Sequence, residues 1–359
     1  MKVLIFGGAG YIGYELVKCF LGNGDTVAIY DAFCNGDASA HDKVSALGSV
    51  TVFEGTIADK KAVRRAIEEF CPDVVYNLAA LHYIPYCIQH PDEVYETNYQ
   101  GLQNIIQVLR DYPQAKFIFA SSASVYGSPD QQCTLDTPVD PNDIYGASKL
   151  AGEGLIKYQL SNFVIMRLFN VYGSLDPHPH LIPKVVRAAV RGEDLELGAM
   201  EAKRDFVHVT DVARAFFVAR NGCPGDTYIV ATGETHSVKE VVDKIYQLSG
   251  SLGKVTYGTV GNMRAKDASC LSGDYSALRA LGWAPMVQFD EGLRSAIDAA
   301  LVEKKLVQVN YHIIEKSDYQ VKIGDLISVR RFGRIILLKE NGQTKKDKIK
   351  LTVQLLSSR

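Results

Sequence analysis

No apolar run in the 359-residue chain approaches the roughly eighteen residues of a membrane-spanning helix. No basic and apolar leader precedes the first strand, so a secretory signal is not expected. The seven cysteines, at 19, 34, 71, 87, 133, 223 and 270, are odd in number and form no C-x-x-C pair. Neither a disulfide framework nor a zinc ribbon fits that spacing, no metal site is expected, and reduced thiols in the cytoplasm are the simplest account. Excess charge is missing too. A net charge of −2 gives the whole molecule no bias toward nucleic acid or membrane. The average hides an asymmetry: residues 301–359 carry 13 Lys and Arg against 6 Asp and Glu.

What remains is an ordinary globular composition, 47% hydrophobic and 22% charged, in a chain long enough for two domains or subdomains. The first stretch organises the rest. Lys2 to Phe6 reads as a short buried strand, Gly7, Gly8, Gly10 and Gly13 make a glycine turn, and Tyr11 to Leu21 reads as a helix. In that context glycines permit a tight turn, approach of backbone to a diphosphate, and close packing of helix on strand. The helix N-terminus offers free N–H groups to phosphate. A second strand, Thr26 to Tyr30, ends in Asp31, eighteen residues beyond Gly13. A carboxylate there can accept both hydroxyls of an adenosine ribose and repels a 2′-phosphate. Ala32 and Phe33 follow where an Arg would suit NADP, so NAD is the expected cofactor.

Strands at Val50–Glu54, Val74–Leu78 and Lys116–Ala120 alternate with helices at Lys60–Phe70 and Asp92–Arg110. That alternation predicts an α/β fold with a doubly wound parallel sheet, its ligand at the carboxyl ends of the strands. The strand Lys116–Ala120 runs into SSASVYG (121–127), and YGASK follows with Tyr145 and Lys149 four residues apart. On a helix those two share a face. A nearby ammonium favours phenolate, and a serine hydroxyl from the strand end can orient a proton transfer.

GGAGYIG (7–13), Asp31, NLAA (77–80), SSASVYG and YGASK together resemble the extended branch of the short-chain dehydrogenase/reductases, over about residues 1–300. The resemblance implies an NAD-binding Rossmann core at 1–165 with contributions from 203–233, and a smaller α/β substrate subdomain over 166–300. It implies Ser122, Tyr145 and Lys149 as catalytic residues. Gly7, Gly10, Tyr11, Ile12, Gly13, Asp31, Asn35, Ile57, Leu78, Ala79, Ala80, His82 and Asn98 would hold NAD with Tyr145 and Lys149. Ser122, Ser124, Asn170, Arg204 and Arg264 would meet a nucleotide sugar, Asn170 and the two arginines at its diphosphate. Thr56 departs from the family's usual Asp, and His82 stands where some epimerases carry a Lys; it reads either as a ligand-facing group or as a loop histidine.

Family dehydratases carry acids at the two positions after the catalytic Ser, and decarboxylases a Glu at the second; here Ala123 and Ser124 stand there. The expected reaction is therefore NAD-dependent epimerisation of a UDP-sugar, at carbon 4. An NAD(P)H-dependent keto-sugar reductase is the alternative, and a homodimer through the helices at 92–110 and 145–160 is expected. Residues 306–358 resemble part of an S-four-like RNA-binding domain, read as short strands with turns at Asn341-Gly342 and TKKDK (344–348). An RNA-associated protein using this basic β-rich appendage (301–359) is the reading from another class.

Overall fold

The computed structural model describes residues 1–34, 40–129, 131–174, 176–198, 200–258 and 268–303, with segments 307–309, 312–314, 325–329, 333–343 and 349–356 beyond them. β1 (Lys2–Phe6) turns into α1 (Tyr11–Gly22), followed by β2 (Thr26–Asp31), α2 (Ala40–Ser45), β3 (Val50–Glu54), α3 (Lys60–Phe70) and β4 (Val74–Asn77). Next come α4 (Ile84–Gln89), α5 (Pro91–Val94), a π-helical stretch Tyr95–Gly101, α6 (Leu102–Leu109), β5 (Lys116–Ser122), α7 (Ile144–Gln159) and β6 (Phe163–Leu168). The chain continues through β7 (Asn170–Tyr172), α8 (Leu181–Arg191), β8 (Leu195–Leu197), β9 (Lys203–Arg204), β10 (Phe206–His208), α9 (Val209–Ala219) and β11 (Asp226–Val230). After these lie β12 (His236–Ser237), α10 (Val238–Ser249), β13 (Val255–Tyr257), β14 (Cys270–Leu271), α11 (Ser276–Ala280) and α12 (Phe289–Glu303).

Seven strands form one parallel sheet in the order β11-β6-β5-β4-β1-β2-β3. The order reverses between β1 and β4, where Val3 pairs with Val74 and Phe6 with Asn77. A crevice therefore opens beyond the carboxyl ends of those two strands. Alternation along β1 feeds both faces. Val3 and Ile5 pack with Leu16, Val17, Phe20 and Phe216 from α1 and α9. Leu4 and Phe6 pack with Ile67, Ile105 and Ile106 from α3 and α6. A third core gathers α8, α10 and α12 around Val185, Val241, Ile245 and Leu293.

Two local expectations are corrected. The helix predicted over Asp92–Arg110 is interrupted by the π-helical stretch, whose extra residue turns Asn98 inward, 5% exposed, to bond the Leu81 backbone. Ile84–Gln89 forms α4, with Pro85 in its first turn, where a missing N–H costs nothing. Asn341-Gly342 is not a turn. It lies inside β18 (Gly333–Gln343), and the ladder to β19 (Ile349–Leu356) absorbs the pair by shifting register between Glu340 and Gln343. With β15 (Val307–Val309), β16 (His312–Ile313) and β17 (Leu326–Val329) these strands make an antiparallel sheet ordered β16-β15-β17-β18-β19, whose Val329 packs on the third core. The predicted turn at 344–348 lies outside the described residues.

Candidate active site

The glycine turn joins β1 to α1 at the switch point. Gly7 adopts φ +77°, and a Cβ there would lie 2.7 Å from the Ala79 nitrogen, so turn and close approach both require glycine. At Gly13 a Cβ would sit 2.4 Å from the Gly7 carbonyl oxygen, which lets α1 seat directly on the turn. Gly10 differs: its φ is −68°, and the nearest atom to an added Cβ is 3.3 Å away. That is a tight contact with the Gly7 carbonyl oxygen and not a clash of the kind met at Gly7 and Gly13. No side chain caps α1 and no acid sits in its first turn, so the N–H groups there have no side-chain partner, and Tyr11, Ile12 and Gly13 line the cavity.

Asp31 closes β2 beside this turn. Its carboxylate accepts the Ala9 N–H at 2.9 Å and the Phe33 N–H at 2.9 Å, which ties the two loops together. Burial pushes its pKa up, opposed by hydrogen bonds from Phe33, Ala9 and Ala32. Ile57, Leu78, Ala79, Ala80 and His82 line the same cavity, and Asn98 lies behind it. Asn35 and Arg264 lie outside the described residues.

Across the crevice, β5 ends at Ser122 and α7 begins at Ile144, capped by Asp143 accepting the Gly146 N–H at 2.8 Å. That start brings Tyr145 and Lys149 over the end of β5. Ser122 hydrogen-bonds the Tyr145 phenol, while burial drives the phenol's pKa upward more strongly than that bond lowers it. The Lys149 ammonium donates to the Ala120 carbonyl at 2.8 Å and lies 5.8 Å from the Tyr145 ring centroid. Burial pulls its pKa down to about 7. The cavity enclosing these groups and the glycine turn has a volume of about 710 Å³.

Beneath it lies a network that sequence reading missed. Glu153, two turns along α7 from Tyr145 and 1% exposed, accepts the Ser121 hydroxyl at 2.6 Å and two Arg167 hydrogen bonds at 2.9 and 2.7 Å. Arg167 also donates to the Tyr126 hydroxyl at 2.9 Å. The i, i+4 spacing of Lys149 and Glu153 was the available signal. The Asn98 side chain likewise joins Leu81 to Ser148, inside the turn that carries Tyr145.

Ser124, Asn170 and Arg204 also line the cavity. The Asn170 amide donates to the Asp205 carbonyl at 3.2 Å, and Arg204 to the Ala268 carbonyl at 2.8 Å. His82, Tyr83 and His180 line it as well, and of these only His82 was anticipated.

A family model described as GDP-mannose 4,6 dehydratase matches residues 4–296. The UDP-glucose 4-epimerase of Lactobacillus helveticus is 28% identical over 312 residues, which cover 79% of this chain and 92% of the relative. A UDP-N-acetyl-alpha-D-glucosaminuronate decarboxylase of Bacillus cytotoxicus is 30% identical over 274 residues, covering 71% and 83%. The crystal structure of Thermus thermophilus UDP-glucose 4-epimerase in complex with NAD is similar with a TM-score of 0.75 and 30% identity, covering 84% of this chain and 99% of that one. The family match ends before the C-terminal antiparallel sheet. Since that match reaches all seven strands of the parallel sheet and takes in the cavity at its switch point, the chain belongs to the GDP-mannose 4,6 dehydratase family of extended short-chain dehydrogenase/reductases.

Proposed function

We propose that the chain is an NAD-dependent epimerase acting at carbon 4 of a UDP-sugar. One observation carries this: Ser122, Tyr145 and Lys149 share a single cavity with the glycine turn and Asp31. The cradle fits a dinucleotide, with glycines that the turn itself requires at Gly7 and Gly13, uncapped N–H groups at α1 and a carboxylate at the end of β2. Bound there, NAD supplies a hydride acceptor that becomes the donor in the return step. Tyr145 takes the proton of the carbon-4 hydroxyl, Ser122 orients that hydroxyl, and the Lys149 cation favours phenolate. On the return the same phenol gives its proton back to the alkoxide, so no net acid or base is consumed. Asn170 and Arg204 hold the diphosphate.

Dehydration or decarboxylation asks for a further acid or base beside Tyr145. The short helix after Ser122 supplies only Ala123 and Ser124 there, and the Asp143 carboxylate is engaged in capping α7. The UDP-glucose 4-epimerases among the relatives support the same choice.

Incubation of the purified protein with UDP-glucose, without added cofactor, should yield UDP-galactose while NAD stays with the protein. Dependence on added NAD(P)H, with a reduced sugar as product, would instead establish the keto-sugar reductase. Ile88, Tyr95 and Tyr158 are exposed apolar side chains on α4, the π-helical stretch and α7, and support a homodimer through that face. The RNA-associated reading rests on the basic charge of residues 301–359 and the S-four-like resemblance of residues 306–358, and ranks below the enzyme.

A further inference from the structure

Asp205 lies between β9, which ends in Arg204, and β10, and it is wholly buried. The proposed reaction gives it no part. Among the described residues no cation pairs with its carboxylate, and four neutral donations hold it instead. Oδ1 accepts the Thr232 N–H at 2.8 Å and the Thr232 hydroxyl at 2.7 Å. Oδ2 accepts the Gly233 N–H at 2.8 Å and the Gly273 N–H at 3.4 Å. Successive N–H groups that converge in this way make a concave seat for an anion, and Gly233, at φ +79°, gives the backbone that shape. At Gly273 a Cβ would lie 2.7 Å from each of the Ala231, Ile229 and Phe169 side chains, so glycine is what lets that segment reach the carboxylate. Burial pushes the Asp205 pKa up, and the four hydrogen bonds oppose it.

The peptide of the same residue carries the diphosphate contacts. The Asp205 carbonyl accepts the Asn170 N–H at 3.1 Å and the Asn170 side-chain amide at 3.2 Å. Successive side chains along an extended segment point to opposite faces, so with Asp205 turned into the interior its neighbour Arg204 is turned to the cavity, which both Arg204 and Asn170 line. Resting on the epimerase reading, we propose that Asp205 is the positioning residue of the diphosphate site: its seated carboxylate holds Arg204 and Asn170 together at the cavity, and so sets the affinity for a UDP-sugar without entering the chemistry.

The seat also ties these contacts to the parallel sheet. Thr232 and Gly233 follow β11, and the Phe169 N–H donates to the Val230 carbonyl at 3.0 Å. Arg204 is paired on its two sides with His236 of β12 and Leu271 of β14, and the Asp205 N–H donates to the Leu271 carbonyl at 3.0 Å. Among the described residues the hydrogen bonds of Asp205 reach neither α7, which carries Tyr145 and Lys149, nor the glycine turn. Loosening the seat is therefore expected to act on the diphosphate and to spare turnover and cofactor.

The test is calorimetric titration of the protein, its cofactor retained, with UDP. Asp205→Asn leaves one acceptor oxygen and sets an NH2 group against the remaining N–H donors, so UDP is expected to bind at least about tenfold more weakly. KM for UDP-glucose should rise with it, while kcat stays within about threefold. Because Asp205 acts through Arg204, its loss should not add to that of Arg204→Met: the double variant should bind UDP within about threefold of its weaker parent. The same cycle run with Thr232→Val, which removes only the hydroxyl donor, is expected to show at least about threefold weaker UDP binding, again without addition, and it stands whether or not the aspartate variant folds. Unchanged UDP affinity in Thr232→Val, full addition in the double variants, or a fall in kcat at constant KM overturns the proposal. The epimerase reading is judged separately, by product analysis of the unsubstituted protein. UDP binding that depends on Asp205 without an epimer product would sink the reaction alone, whereas an epimer product with UDP affinity indifferent to Thr232→Val would sink the positioning role alone.

Discussion

Tyr145 and Lys149 oppose one another electrostatically. A buried phenol resists ionisation and a buried lysine resists protonation, so the pair works only if enough of the ammonium persists to stabilise phenolate. Tyr145→Phe should lower turnover by at least roughly a hundredfold, the scale of a lost acid–base group, with little change in UDP-sugar affinity. Assays of initial rate and of binding check the two parts independently. Lys149 also sets a stability dependence on pH. Its folded pKa, about 7, lies below its unfolded value, so the unfolded chain binds more protons between them and stability rises with pH across that window. In cofactor-free protein, Lys149→Met should therefore raise the melting temperature more at about pH 6 than at about pH 9. A shift equal at both values would contradict a depressed lysine.

Among the elements, the turn between β1 and α1 separates two uses of glycine. At Gly13 an added methyl collides with the Gly7 carbonyl, so Gly13→Ala should destabilise the fold by about 1–3 kcal/mol as well as weaken cofactor binding. At Gly10 the backbone is ordinary and an added methyl meets only the Gly7 carbonyl oxygen, at 3.3 Å, so Gly10→Ala should cost less stability than Gly13→Ala and lose NAD affinity. Thermal melts alongside cofactor retention distinguish the two. The α7–β6 contact depends on Glu153. Glu153→Gln removes the charge that Arg167 pairs with in the interior, and a loss of about 3–5 kcal/mol is expected in denaturant unfolding. Because Ser121, one residue before Ser122, bonds the same carboxylate, turnover should fall with it.

For the whole molecule, the parallel sheet and the cavity are complete without the C-terminal sheet. The last described residue lining the cavity is Leu271, and the family match ends at residue 296. A chain ending after Glu303, which closes α12, should keep its turnover with UDP-glucose. The same pair of chains tests the basic segment: stronger retention of the full chain on heparin or RNA at low salt would support a nucleic-acid role, and equal weak retention would end it. Light scattering checks the homodimer.

The sequence by itself determined the sheet and its cradle. Strand alternation, the spacing of Gly7, Gly10 and Gly13, Asp31 at the end of the second strand, and Tyr145 four residues before Lys149 are local patterns, each imposed by backbone geometry within one or two elements. Tertiary structure decided what no local pattern carries. Glu153 and Arg167 are fourteen residues apart yet share a buried bond, Asn98 reaches the Tyr145 turn through a π-helical residue, and His82 meets His180 from a loop almost a hundred residues away. Such contacts depend on how helices and loops pack once the sheet has formed. A side chain's partners there are set by distance in space, which spacing along the chain does not encode.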